Sequence, residues 1–161
     1  MRTIVLGGTG YGGMMLLRIL SAHPEITSII PVSRSSAGTK VAQTDPGLGD
    51  TASDKLEATD GAFVSAEQAT DLSADVVFAA LPHGASASAL EPFLHSTPVI
   101  DLSADFRLRD PEVYADVYGP HPTPELLSEA VYGLPEWYGR QIEEANIIAS
   151  PGCYPTATLL P

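Results

Sequence analysis

One cysteine in 161 residues, Cys153, leaves this chain unable to close an internal disulfide and too poor in thiolates for a structural zinc site. No metal site is expected. Basic residues are scarce as well: eight Lys and Arg against twenty Asp and Glu give a net charge of −12, and the eight stand singly along the chain. Without a basic patch to track a phosphate backbone, nucleic acid is excluded as a partner class. No apolar run approaches the ~20 residues that span a bilayer, and the first residues pass straight into a strand and a glycine turn with no cleavable signal pattern. A soluble, cytoplasmic protein with no membrane partner is expected. No internal repeat or low-complexity segment is present.

What the chain does have is enough apolar material, 44% of its residues, for one globular core. The opening RTIVLGGTGYGGMMLLRILSAHP combines a β-branched run, a glycine cluster and a segment in which Met14, Leu17, Leu20, Met15 and Ile19 recur at helical spacing. This predicts strand, turn and helix, with His23-Pro24 ending the helix. EITSIIPVSRSS supplies a second strand, and a loop is expected over 37–54. A weak third strand falls around Phe63-Val64. ADVVFAALPHGASASALEPFLHS repeats strand, turn and helix; PVIDLSADF gives a further buried strand; residues 108–134 form an excursion with a short helix; QIEEANIIAS gives a helix end and a last strand. The alternation predicts an α/β fold of the Rossmann type with a mainly parallel sheet.

Gly8, Gly10 and Gly13 fit G-x-G-x-x-G, and Gly7, Gly10 and Gly13 fit the related G-x-x-G-x-x-G. Set between a strand and a helix, the turn Gly7, Gly8, Thr9, Gly10, Tyr11, Gly12, Gly13 is a candidate seat for a dinucleotide pyrophosphate, against the competing reading of a plain flexible loop. About twenty residues on, where an acidic residue would meet the ribose 2′-hydroxyl of NAD, the sequence instead reads Ser33-Arg34 with Ser35, Ser36 and Lys40 behind. Hydroxyls and a guanidinium suit a 2′-phosphate, so NADP(H) is the expected cofactor, with Ser33, Arg34 and Ser36 as its contacts.

Cys153 follows the apolar run Ile147, Ile148, Ala149 inside SPGCYPTATLL, and two prolines and a glycine argue against a packed interior. A lone thiol after a late strand of a dinucleotide fold suggests a reductase that carries an acyl group as a thioester; the competing reading is a small buried apolar residue. GGTGYGG, LPHGAS, VIDLSADFR, VYGLPE and SPGCYPTATLLP, in this order and spacing, resemble the N-acetyl-gamma-glutamyl-phosphate reductases, relatives of aspartate-semialdehyde dehydrogenase in arginine biosynthesis. The resemblance implies NADPH-dependent reduction of a small-molecule acyl phosphate to a semialdehyde, with release of phosphate. It makes Cys153 the nucleophile and Arg107 a contact to the substrate anion, and places Leu81, Pro82 and Gly84 beside the cofactor. The competing reading of Arg107 is an ion pair with Asp105 or Asp110. His83 is an obvious base by type, but lies in the cofactor loop and reads as structural.

Ser150 stands where the family usually has Asn, and is carried over as a substrate-binding position. Family members also continue for about another domain's length, with the catalytic His and most of the subunit interface in that part. The expected organisation is therefore an NADP-binding domain over 1–149 and a cysteine loop over 150–161 that opens a second domain. By itself this chain is expected to be inactive, and the full-length form to be a homo-oligomer. Two other readings stand beside this one: a sister reductase acting on a lysine-biosynthesis acyl phosphate, and a non-catalytic NADP-binding module.

Overall fold

The β-branched run that opens the chain forms β1 (Arg2–Leu6), and the glycine cluster turns it into α1 (Tyr11–Ala22). The computed structural model describes residues 1–48 and 53–160, so 49–52, within the expected loop, and Pro161 lie outside the described residues. Two compact units result, Met1–Ala80 and Leu81–Pro161.

In the first unit, β1 runs parallel to both β2 (Ser28–Val32) and β3 (Val76–Ala79), with Ile4 in register with Ile30 and Val77. Ile4, Val5, Ile29, Ile30 and Val77 are wholly buried, which is why these strands read as continuous apolar runs rather than alternating ones. Helix α1 buries Gly13, Leu17 and Leu20, whereas Met15 and Ile19 are exposed, so the apolar positions of this helix divide between two faces. His23 closes it by donating its N–H to the Leu20 carbonyl just before Pro24. The expected loop contains a one-turn helix, α2 (Val41–Thr44), and enters a 3-10 segment at Ser53–Thr59. The expected third strand shrinks to one bridging residue: Val64 N–H donates to Pro31 O, and Ser33 N–H to Val64 O. The reason is local. Asp60 and Gly61 turn the chain through positive φ just before it, and Ser65 starts the capping box of α3 (Ala66–Thr70) just after it.

The second unit holds α4 (Ser86–Leu90), β4 (Val99–Asp101), α5 (Pro111–Tyr118), a 3-10 segment (Pro124–Glu129), β5 (Val131–Tyr132), α6 (Pro135–Glu143), β6 (Ile147–Ala149) and α7 (Cys153–Leu159). Here β6 lies between β4 and β5, again all parallel. At two residues, β5 is too short to show a period and was hidden in the 108–134 excursion. Gly133 follows it and donates its N–H to Ala149 O at 2.8 Å; a β-carbon there would come within 3.0 Å of Ile148 Cγ2 and 3.1 Å of Ala149 O. The glycine of VYGLPE thus lets the chain lie directly on the strand that leads to the cysteine. Parallel strands alternating with helices in both units are the α/β arrangement expected.

Candidate functional site

At the carboxyl end of β1 the chain reverses through Gly7 at φ +77°, a conformation that favours glycine, and Gly10 N–H closes the turn on Gly7 O at 3.0 Å. Gly8 donates to Val32 O at 2.8 Å, and its missing side chain leaves room for the buried ring of Phe63, which would stand 3.1 Å from a β-carbon. Gly13 is the tightest position: a β-carbon would be 2.1 Å from Gly7 O. The turn therefore folds back onto the first coil of α1. At that coil, Tyr11, Gly12 and Gly13 have N–H groups without a hydrogen-bond partner among the described residues, and no acidic side chain occupies the first turn. Free N–H groups at the positive end of a twelve-residue helix are what a pyrophosphate needs.

Beyond β2, Ser33 is buried and its hydroxyl is already engaged, 3.1 Å from Thr9 Oγ1 and accepting the Ser36 N–H at 3.2 Å. It braces the glycine turn against the segment that follows β2. Arg34 is exposed and has no hydrogen bond or ion pair among the described residues. Lys40 is committed elsewhere, donating to the carbonyl and carboxylate of Asp60 and drawing that carboxyl below its ordinary range. Among the described residues, Arg34 is the cation near this turn left available to a 2′-phosphate.

In the second unit the motifs LPHGAS and VIDLSADFR are joined by two buried carboxylates. Asp105 accepts three backbone N–H groups, from Gly84 at 2.7 Å and from Ser86 and Ala87 at 3.0 Å each. Asp101 accepts the Ser86 hydroxyl at 2.5 Å, the Ser103 hydroxyl at 2.6 Å and the Ser103 N–H at 3.0 Å. Burial pushes the Asp101 carboxyl above its usual range, and the bonds from Ser103 and Ser86 oppose that push. Nδ1 of His83 accepts the Ala104 N–H at 2.8 Å, a further tie between the two motifs. The Gly84 N–H is taken by Asp105, whereas the Leu81 N–H has no hydrogen-bond partner among the described residues.

Neither ion pair of the competing reading of Arg107 forms among the described residues. Asp105 accepts from three N–H groups and, at 3.4 Å, from the Tyr114 hydroxyl, and Asp110 caps α5 by accepting from Glu112 and Val113. Instead Arg107 donates through Nε to Ser150 O at 2.7 Å and through Nη2 to Leu102 O at 2.9 Å. Its Nη1 lies 3.1 Å from the place a β-carbon on Gly152 would occupy. Ser150 in turn donates its N–H to Asp101 O at 2.8 Å, so the cysteine loop is held through the backbone of Ser150 at both its N–H and its C=O. The next element begins at Cys153, which is exposed, as the surrounding prolines and glycine imply. Arg107 thus packs on the loop, Ser150 to Gly152, that leads into Cys153. No group of His, Cys, Asp or Glu suited to a metal occurs among the described residues.

Residues 2–145 match the model of the semialdehyde dehydrogenase NAD-binding domain. The chain belongs to the semialdehyde dehydrogenase family. It is 52% identical over 159 residues to an N-acetyl-gamma-glutamyl-phosphate reductase of Azotobacter vinelandii, covering 97% of this chain and 44% of that relative. A relative of the same name from Acidithiobacillus ferrooxidans is 46% identical over 161 residues, covering 99% of this chain and 45% of the relative. The chain therefore spans less than half the length of these curated relatives. A crystal structure of aspartate semialdehyde dehydrogenase with NADP from Candida albicans shares the fold at a TM-score of 0.60 and 20% identity, over 99% of this chain and 44% of that one.

Within this semialdehyde dehydrogenase domain, sequence reasoning missed Asp101, Asp105, Ser86, Ser103 and Gly133. One signal was available. Two aspartates in the apolar stretch VIDLSADF must be buried, and a buried carboxylate needs donors, which the serines and the glycine loop supply.

Proposed function

We propose that this chain is the cofactor-binding and cysteine-bearing part of a cytoplasmic, homo-oligomeric reductase that converts N-acetyl-gamma-glutamyl phosphate to the semialdehyde and phosphate, with NADPH as reductant. Residues 1–149 are read as the NADP-binding domain and 150–161 as the cysteine loop that opens the next. The observation that carries the reading is the exposed Cys153 one residue beyond Gly152, against which the Arg107 guanidinium is packed. Sequence identity of 46–52% to reductases of that name supports N-acetyl-gamma-glutamyl phosphate as the substrate.

The residues present fit NADP(H): unpartnered N–H groups of Tyr11, Gly12 and Gly13 for the pyrophosphate, and an uncommitted Arg34 for the 2′-phosphate. When bound, NADPH supplies the hydride. The chain's own contribution is the thiol. Sγ of Cys153 attacks the acyl carbon, a C–S bond forms, the C–O bond to phosphate breaks, and phosphate leaves beside the Arg107 cation. After reduction, the C–S bond breaks again to free the aldehyde and return the thiol. Sγ has no hydrogen-bond partner among the described residues, so proton transfer during these steps falls to groups the described residues do not bring to it.

The test assays acyl-phosphate reduction by the full-length protein, unaltered and as Cys153→Ser, alongside NADPH binding by the 161-residue chain. Turnover that requires Cys153, with NADPH binding by the chain alone, is expected. A Cys153→Ser enzyme of undiminished rate would overturn the reading.

A further inference from the structure

The two motifs LPHGAS and VIDLSADFR contain more polar residues than cofactor and substrate contacts account for, and the structure shows where the surplus goes. Asp105 is 1% exposed, has no ion pair among the described residues, and takes three N–H groups from a loop 18–21 residues earlier in the chain. From the same turn Ala104 N–H reaches His83, and Arg107 N–H returns to Ala104 O at 3.1 Å. The turn 101–107 is thereby fastened to 83–87 on one side, while Arg107 at its end reaches Ser150 and Gly152 on the other.

We infer that Asp105 is a positioning residue: by anchoring the turn 101–107 to the Gly84, Ser86 and Ala87 N–H groups, it holds the Arg107 guanidinium beside Cys153. Two of the guanidinium's nitrogens are spent on the carbonyls of Ser150 and Leu102, which leaves Nη1, packed on Gly152 one residue before Cys153, to meet an incoming anion. A cation held in this way acts at full strength because it needs no reorganisation when an anion arrives. If the turn loosens, the same charge remains in the chain but swings into water, where screening weakens it. Arg109, two residues on, is committed to Ser128 O and does not substitute. The inference rests on the proposed reading only in taking Cys153 as the reacting atom.

The charge beside a thiol is read by comparing its alkylation by iodoacetate, an anion, with that by neutral iodoacetamide. The rate ratio reports local potential and is insensitive to global stability while the chain stays folded. In the 161-residue chain, Arg107→Ala sets the floor of this ratio. Asp105→Asn, which puts an N–H donor against at least one of the loop N–H groups, is expected to lower the ratio several-fold toward that floor. Asp110→Asn, which weakens an ordinary helix cap in the same unit, is expected to leave it unchanged. Arg107→Lys keeps the charge but loses the two-carbonyl tether, and is expected close to the floor, a result available even where Asp105→Asn does not fold. A ratio in folded Asp105→Asn, or in Arg107→Lys, equal to that of the unaltered chain would overturn the inference. Alkylation of Cys153 proceeds whether or not the protein reduces acyl phosphates, so failure here and failure of the proposed reaction are told apart.

Discussion

A β-carbon on Gly13 would stand 2.1 Å from the carbonyl oxygen of Gly7, well inside any real contact between those atoms. The turn and the first coil of α1 therefore meet backbone to backbone, and the offending atom belongs to the main chain and cannot rotate aside. Gly13→Ala is expected to cost about 1–3 kcal/mol as an overpacked site and to abolish NADPH binding, measured by urea unfolding and by fluorescence titration. Gly12, whose β-carbon would find its nearest neighbour 3.9 Å away at Ala80 Cβ, is the control: Gly12→Ala should fold normally.

The uncommitted guanidinium of Arg34 should set the preference for NADPH over NADH. Arg34→Ala removes a charge-assisted contact of about 1.5–3 kcal/mol, which is roughly tenfold or more in NADPH affinity, while NADH binding is little changed. Lys40→Ala, in contrast, only releases Asp60 and should leave the preference intact. Equal NADPH and NADH dissociation constants for the unaltered chain would refute the role given to Arg34.

Asp101 should leave a signature in the pH dependence of stability. Its carboxyl is pushed up from an ordinary value of 3.8, chiefly by burial, so the folded state holds this proton to higher pH than the unfolded chain does. The contribution of Asp101 is then most favourable in acid and declines as pH rises from 3.8 through the raised value. Asp101→Asn lacks this titration. Urea midpoints across the acid range should show the unaltered chain losing ground to Asp101→Asn as pH rises, and a gap that widens the other way would contradict the assignment.

Tyr114 is buried within reach of Asp105, and its hydroxyl is pushed up to about 12 by burial first and by the Asp105 charge next. Phenolate absorbance at 295 nm should contain a step near that value that is missing in Tyr114→Phe. If Tyr114→Phe titrates identically to the unaltered chain, the hydroxyl is not enclosed as described.

Where a residue's role was set by its own backbone or its immediate neighbours, it was legible in the sequence. Gly7 and Gly13 belong to this class, because positive φ and close main-chain approach are demands that glycine meets locally. So does the exposure of Cys153, which follows from Pro151, Gly152 and Pro155. The partners of Arg107 were not legible: nearness in sequence to Asp105 suggested a pair, while the fold gives Asp105 to amides about twenty residues away and Arg107 to carbonyls at positions 102 and 150. The strand at Val131–Tyr132 escaped for a related reason, since its pairing with Ile148 and Ala149 is its only mark.

Asp105 has one more consequence. Both β1 and β3 run through a glycine loop into a helix, and after β3 the amides that might have welcomed a dissolved anion already hold one that is covalently attached to the chain. Such a ligand cannot be diluted, dialysed away or outcompeted at ordinary concentrations, so the 84–87 loop keeps its shape whatever the cell's nucleotide level. The first loop has no such resident, and its order should rise and fall with free cofactor by mass action. One loop is thus wired permanently, and the other answers to supply.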